Sequence, residues 1–290
     1  MKCYKCGSIN IVLKDRNKNS FYFCEGCKSE LERDKLMNIP QTTIEHFGVK
    51  CRIKWDGKLN RENYALLTDD MGSNEASFMR HALKKIEMWP EVAHYYPQFT
   101  SLPNERYRCV GKYTIEFVNK HYKDCMENFD LNMKYFNSLN KEEFNNELDK
   151  LVKNNNFKEI YDLSKLIETT GIYLMIFDEY NVLYIGQAQD ICKRIKTHWS
   201  KIKDFDRLVF GSVKTSILSV DSFYAKDTTR IFYKKCSFSS LDKQEKKLVS
   251  EFNTKFLLNR IGGGLNTDSL NDSLYSTLHS NSISRNLKSE

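Results

Sequence analysis

No apolar run in the 290-residue chain approaches the roughly 18 residues needed to cross a bilayer, which excludes a helical membrane span. The first residues, MKCYKCGS, hold no apolar signal region either, so the chain is expected to remain inside the cell, in the cytoplasm. Thiols are normally kept reduced there, and the nine cysteines are therefore read as metal ligands and buried thiols, not disulfides. Residues 40 to about 165 contain no recognisable motif.

What is present begins with a hydrophobic content of 40%, enough for packed cores, in a length that suggests two or three domains. The net charge of +7 is uneven: residues 1–60 hold 12 Lys and Arg against 7 Asp and Glu, residues 171–266 hold 16 against 10, and the stretch between is slightly acidic. Basic ends around an acidic middle suit a polyanionic partner, although a bland surface excess would look the same.

Cys3-x-x-Cys6 and Cys24-x-x-Cys27 form two knuckles seventeen residues apart. Each pair can place two thiolates on a tight turn, and four sulfurs complete a tetrahedral Zn2+ site. Ile9 to Leu13 and Phe21 to Phe23 are expected as short strands between them. The pattern resembles a zinc ribbon. So small a core cannot stabilise itself by burial alone, and the metal is expected to contribute on the order of 10 kcal/mol or more. Lys14 and Arg16, with nearby aromatics, are candidate phosphate contacts.

Between residues 40 and 160 a mixed α/β module is expected. Asn74 can cap a helix carrying Ala76, Met79, Leu83 and Ile86, ahead of Pro90, and its basic, aromatic sequence RHALKKIEMW reads as a solvated face over Met79 and Trp89 more readily than as a DNA surface. VGKYTIEFV at 110–118 reads as a strand. Asn140 and Glu143 form a candidate capping box before Phe144, Leu148 and Leu151, and Asn154 to Asn156 is the expected linker. His121 and Cys125, with Cys51 and Cys109, make a weaker candidate for a second metal site.

The densest signal is Gly171 to His198, GIYLMIFDEYNVLYIGQAQDICKRIKTH. Ile172 to Phe177 and Val182 to Ile185 read as a hairpin turning at Asp178 to Asn181, with Gly186 ending its second strand. If Phe177 faces Val182, then Met175 faces Tyr184, and alternation puts Tyr173 and Tyr184 on one face. Asp190 can cap a helix with Ile191, Ile195, Trp199 and Ile202 on its buried stripe and Arg194 and His198 beside it. Two phenols, a guanidinium and an imidazole can thus converge. Downstream, RLVF, SILSV and RIFYKKC read as strands or a small insertion. Ser239 and Asp242 can cap a helix on which Leu241, Glu245, Leu248 and Phe252 fall on one stripe. A carboxylate at such a position needs an arginine or a cation, while Glu251 should face elsewhere.

Gly-Ile-Tyr and Tyr-Ile-Gly at this separation, with Arg194 following, resemble the GIY-YIG nuclease family over about 95 residues, from 171 to 266. The resemblance implies metal-dependent phosphodiester hydrolysis, with one divalent cation, Mg2+ or Mn2+, on Glu245. It implies Tyr173 as proton acceptor for the attacking water and Arg194 as the phosphate clamp. Tyr184, Arg194 and the metal would ease ionisation of a phenol whose reference pKa is about 10, and His198 would take the proton onward. Lys193 is a second source of positive charge, Lys193 and Lys196 are candidate DNA contacts, and Asn259, with Asn266 as rival, would fix the glutamate or a metal-bound water. Residues 204–228 exceed what compact members need.

The expected fold class is therefore multidomain α/β (α+β): a zinc ribbon at 1–38, the mixed module at 40–160, a small antiparallel-sheet nuclease domain flanked by helices at 166–266, and a flexible tail at 267–290. The expected function is a site-specific endonuclease on double-stranded DNA, homing- or restriction-like, with no membrane partner. Alternatives are a structure-specific repair or recombination nuclease and an inactive DNA- or protein-binding factor. One active site per chain implies two successive nicks or a transient dimer.

Overall fold

A computed structural model describes residues 2–16, 19–32, 41–54, 56–65, 115–200, 203, 205, 208–209, 213–214 and 216–259. The helix expected after Asn74, with Trp89, and Cys109, Ile202, Asn266 and the 267–290 tail lie outside them. The chain forms helices and antiparallel sheets in two compact units, Met1–Asn38 with Ala65–Cys125, and Ile39–Tyr64 with Met126–Glu290. No helix among the described residues is long and apolar enough to cross a membrane.

In the first unit β1 (Ile11–Arg16), β2 (Asn19–Cys24) and β3 (Ser29–Leu31) form an antiparallel sheet, one strand more than the sequence suggested. Ile11, Leu13, Tyr22 and Leu31 are buried. Phe117, Val118, Tyr122 and Cys125 are buried in the same unit, and the Asn119 amide binds both backbone groups of Leu13, accepting from its N–H at 2.8 Å and donating to its carbonyl at 2.7 Å. The three-stranded sheet thus has a helical segment against it. Of the strand expected at 110–118, residues 110–114 lie outside the described residues, and the segment corrects the expectation at 115–118. Residues 115–118 open a 24-residue helix, because Phe117, Val118, His121, Tyr122 and Cys125 recur at three- and four-residue spacing and share a face.

The second unit opens with the hairpin β4 (Gln41–His46) and β5 (Val49–Lys54), which turns at Phe47 and Gly48, both at positive φ. A Cβ on Gly48 would run into the Asp162 side chain, so a larger residue there is strained by the positive φ and must displace Asp162. The helices of this unit are α1 (Arg61–Tyr64), the part of α2 (Ile115–Ser138, the helix just described) from Met126 onward, and α3 (Lys141–Asn154). The four-stranded antiparallel sheet has the order β6-β9-β7-β8, built from β6 (Lys158–Glu159), β7 (Gly171–Phe177), β8 (Val182–Ala188) and β9 (Arg230–Lys235). α4 (Ile191–Ser200) follows β8, and α5 (Leu241–Glu251) packs against it.

The sheet's Ile172, Leu174, Ile176, Leu183 and Ile185 form one core with Phe144 and Leu148 of α3 and Leu241 and Leu248 of α5. The alternate residues, Tyr173, Met175 and Phe177, are also fully buried. This two-sided burial explains why β7 reads as a continuous apolar run.

Asn140 caps α3, accepting from the Glu143 N–H at 2.9 Å, but the Glu143 carboxylate pairs with Lys255 instead of closing the capping box. The Asn154 to Asn156 run is no linker between units. Asn155 terminates α3, Asn156 turns at positive φ, and Phe157 is buried on the way into β6. SILSV is not a strand. Ser219 accepts from the Asp221 N–H, winding the chain into short 3-10 turns at Val220–Ser222 and Ala225–Asp227. Ser240, not Ser239, precedes α5 and makes no side-chain cap, while Asp242 accepts from Gln187 at 2.5 Å.

Candidate active site

The hairpin register is the expected one, Phe177 opposite Val182 and Met175 opposite Tyr184. Tyr173 lies opposite Gly186, and β8 continues two residues beyond that glycine to Ala188. A Cβ on Gly186 would fall 2.4 Å from the Tyr173 hydroxyl and 2.7 Å from the Tyr184 ring. At Gly171 it would fall 2.2 Å from the Lys234 carbonyl oxygen. The two glycines of the tripeptides are thus required by close approach, one of a phenol and one of a neighbouring strand.

α4 starts where Asp190 accepts the Lys193 N–H at 2.8 Å, and Ile191, Ile195 and Trp199 anchor it. This places His198, 3% exposed, against both tyrosines, with ring centroids 6.2 Å from Tyr173 and 5.3 Å from Tyr184. The Tyr173 hydroxyl is 2.9 Å from His198 Nε2, and His198 Nδ1 is 2.7 Å from Asp221 Oδ1. An ionised Asp221 only accepts, so the proton belongs on Nδ1 and Tyr173 donates to Nε2. The exposed Arg194 lies close enough to both phenols for its charge to oppose the rise of their pKa.

Burial pushes the Tyr173 hydroxyl well above the usual phenol range, and Tyr184 and Glu245 add to it against the pull of Arg194. Tyr184 is shifted in the same direction, chiefly by burial and by Glu245. Easing of the Tyr173 ionisation by Tyr184 is therefore not what this geometry provides. Both phenols are held protonated.

Glu245 is on the buried stripe of α5, 5% exposed, while Glu251 faces solvent. Burial raises its carboxyl from 4.5 to about 7, with Asp242 adding to the effect and a hydrogen bond from Gln187 and the charge of Arg194 opposing it. A carboxylate held this way, without a salt bridge among the described residues, suits a divalent cation taken up by one protein carboxylate together with water and substrate oxygens. Among the described residues no cluster of three acidic or histidine ligands surrounds it.

Asn259 does not take the expected role. Its amide accepts from the Ile185 N–H at 3.0 Å and donates to the Ile185 carbonyl at 2.8 Å, which commits the side chain to the strand instead of to Glu245. Lys193 is not beside the phenols either. It lines a cleft with Lys196 on the side of α4 next to β5. In the ribbon, Lys14 pairs with Glu25 at 2.8 Å, helping with Lys28 to hold that carboxyl down at about 2, and Arg16 pairs with Glu30, so both cations already have carboxylate partners.

Two residues of the site had gone unremarked. Asp221 sits in the irregular stretch with no periodicity to flag it. Gln187, two residues after Ile185 and so on the face that α5 covers, was legible from strand alternation.

At the other end of the chain Cys3 Sγ lies 3.8 Å from Cys27 Sγ, Cys6 Sγ lies 3.6 Å from Cys24 Sγ, and all four sulfurs are within 4.8 Å of one another. Tetrahedral zinc–thiolate bonds of about 2.3 Å require sulfurs roughly 3.8 Å apart, so the set fits Zn2+. Cys51, Cys125 and His121 join no such group among the described residues.

Residues 169–259 match the family model for the GIY-YIG catalytic domain, which makes this part of the chain a domain of nuclease type. No curated protein and no solved structure matches the chain.

Proposed function

We propose that the chain is a divalent-metal-dependent endonuclease acting on double-stranded DNA at chosen sites, with the ribbon and the residues before the catalytic domain aiding recognition. The observation that carries this reading is the buried chain Tyr173–His198–Asp221, next to Arg194 and within electrostatic reach of Glu245.

The chain resolves the difficulty of a phenol acting as base. As water attacks phosphorus, its proton passes to the Tyr173 oxygen while the phenol's own proton moves to His198 Nε2. Tyr173 stays neutral, and the base in effect is an imidazole, whose reference pKa of about 6.5 suits neutral conditions. Asp221 holds the ring and stabilises the imidazolium. Arg194, exposed at the margin, clamps phosphate oxygens through its planar fork. A cation on Glu245, Mg2+ or Mn2+, would supply charge relief to the phosphate and leaving oxygen.

Purified full-length protein incubated with supercoiled and branched DNA, with and without Mg2+, tests the reading. Discrete metal-dependent fragments are expected. Selective cutting of branches would replace site choice with recognition of DNA structure. Glu245→Ala and Arg194→Ala should abolish cutting while DNA binding survives, and unchanged cutting would remove this active site. Asp221→Asn should slow turnover by roughly 100-fold and move the acidic limb of the rate–pH profile to lower pH, because the imidazolium loses its counter-charge. A slower enzyme with an unmoved limb would reduce Asp221 to a packing residue.

A further inference from the structure

A cleft of about 400 Å³ opens on the flank of α4 turned toward β5. Its walls carry Lys50 and Arg52 of β5 and Lys193 and Lys196 of α4, all exposed, over a floor that includes Cys51 and Trp199. Among the described residues Asp190 is the one carboxylate lining it, and its Oδ1 is already engaged by the Lys193 N–H.

The four cations differ from much of the lysine surface of the same unit. Lys58 pairs with Glu179, Lys150 with Glu147 and Lys255 with Glu143. None of the four cleft cations has a carboxylate partner among the described residues. Four like charges left unneutralised around one concavity repel one another, and an anion bound there relieves that cost.

We propose that this cleft is a binding site for the phosphate backbone of duplex DNA, built jointly by the catalytic domain and by a hairpin that precedes it in sequence. The inference rests on the reading of the chain as a DNA nuclease and extends it to Lys50 and Arg52, which lie outside the matched segment and join Lys193 and Lys196, the DNA contacts expected from sequence. Lys50 and Arg52, two residues apart, share a face of β5 about 7 Å from one another along the strand, and Lys193 and Lys196 are about 4.5 Å apart along α4. A single small anion would use only part of such a row, whereas a strand of phosphates can engage all of it. Lys193 directly precedes Arg194 on α4, about 100° away around its axis, so a duplex that reaches both wraps that helix. The cleft therefore sets the path of the duplex on one side of the cut.

The test measures binding of a fluorescein-labelled duplex oligonucleotide by anisotropy over a range of KCl concentrations, using full-length protein silenced by Glu245→Gln. Adding Lys50→Glu with Arg52→Glu should weaken binding and make the slope of log affinity against log salt shallower by about two. Lys50→Gln with Arg52→Gln removes the contacts without adding repulsion and should shift the slope equally. Lys150→Glu with Lys153→Glu, on α3, should leave it in place. If the silenced parent binds no duplex, the DNA reading itself falls. If it binds and the cleft variants keep its slope, or the α3 control lowers the slope as much, the cleft is overturned and the nuclease assignment stands.

Discussion

Glu245 is the residue at which stability and activity pull apart. Its carboxyl is raised from 4.5 to about 7 in the fold, so as pH climbs the unfolded chain ionises first. Below about pH 4.5 the side chain is neutral in both states and costs nothing. Between 4.5 and 7 the native state loses ground, reaching about 3 kcal/mol at and above neutrality. Glu245→Gln should therefore melt several degrees above the parent at pH 8 without divalent metal, and level with it at pH 4, by calorimetry. A variant less stable at pH 8 would mean that the carboxylate is satisfied by the protein alone. The identity of this residue was legible from sequence because a charge stood where the apolar pattern wanted a leucine. Asp221 was not, since its partnership with His198 depends on a turn that only the folded insertion creates.

At the scale of elements, the hairpin β7–β8 was readable down to its register, because alternation, turn chemistry and the two glycines all agree. The stretch 216–228 was not. Its apolar residues suggested strands or a small insertion, and its backbone is in fact wound by side chains acting locally, with its buried carboxylate Asp227 as a hub. Asp227 accepts from the N–H groups of Leu59 at 3.0 Å and Tyr224 at 2.7 Å and from the Tyr180 hydroxyl at 3.1 Å, and burial raises it to about 6. Truncation there would strand three donors. Asp227→Ala should cost roughly 3 kcal/mol in urea unfolding, and a loss under 1 kcal/mol would show that water or neighbours take over. Likewise the start of α2 is ambiguous in sequence, because IEFV fits both a strand and one turn of a helix whose later contacts decide the matter.

Across the whole molecule, the two candidate metal sites differ in donor chemistry. The four thiolates suit Zn2+ as a structural ion, and the single carboxylate suits a hard, exchangeable cation. A zinc-selective chelator should release one equivalent of zinc and melt the ribbon, read as lost protection of β1 to β3 amides in hydrogen exchange. The helical segment around Asn119 moderates that loss by packing on Leu13, so residual protection of Leu13 is the expected signature. Full protection without zinc would make the cysteines passengers.

Beyond β8, the chain returns. Leu257 bridges Leu183 in parallel, the Leu258 N–H donates to the Leu183 carbonyl at 2.9 Å, and the Asn259 amide occupies both backbone groups of Ile185. These three residues close the outer margin of the sheet, where an open ladder would otherwise invite another copy to add its own strand and start an aggregate. A protein shortened to end before Leu257 would keep every catalytic side chain named above and yet lose its guard against self-association.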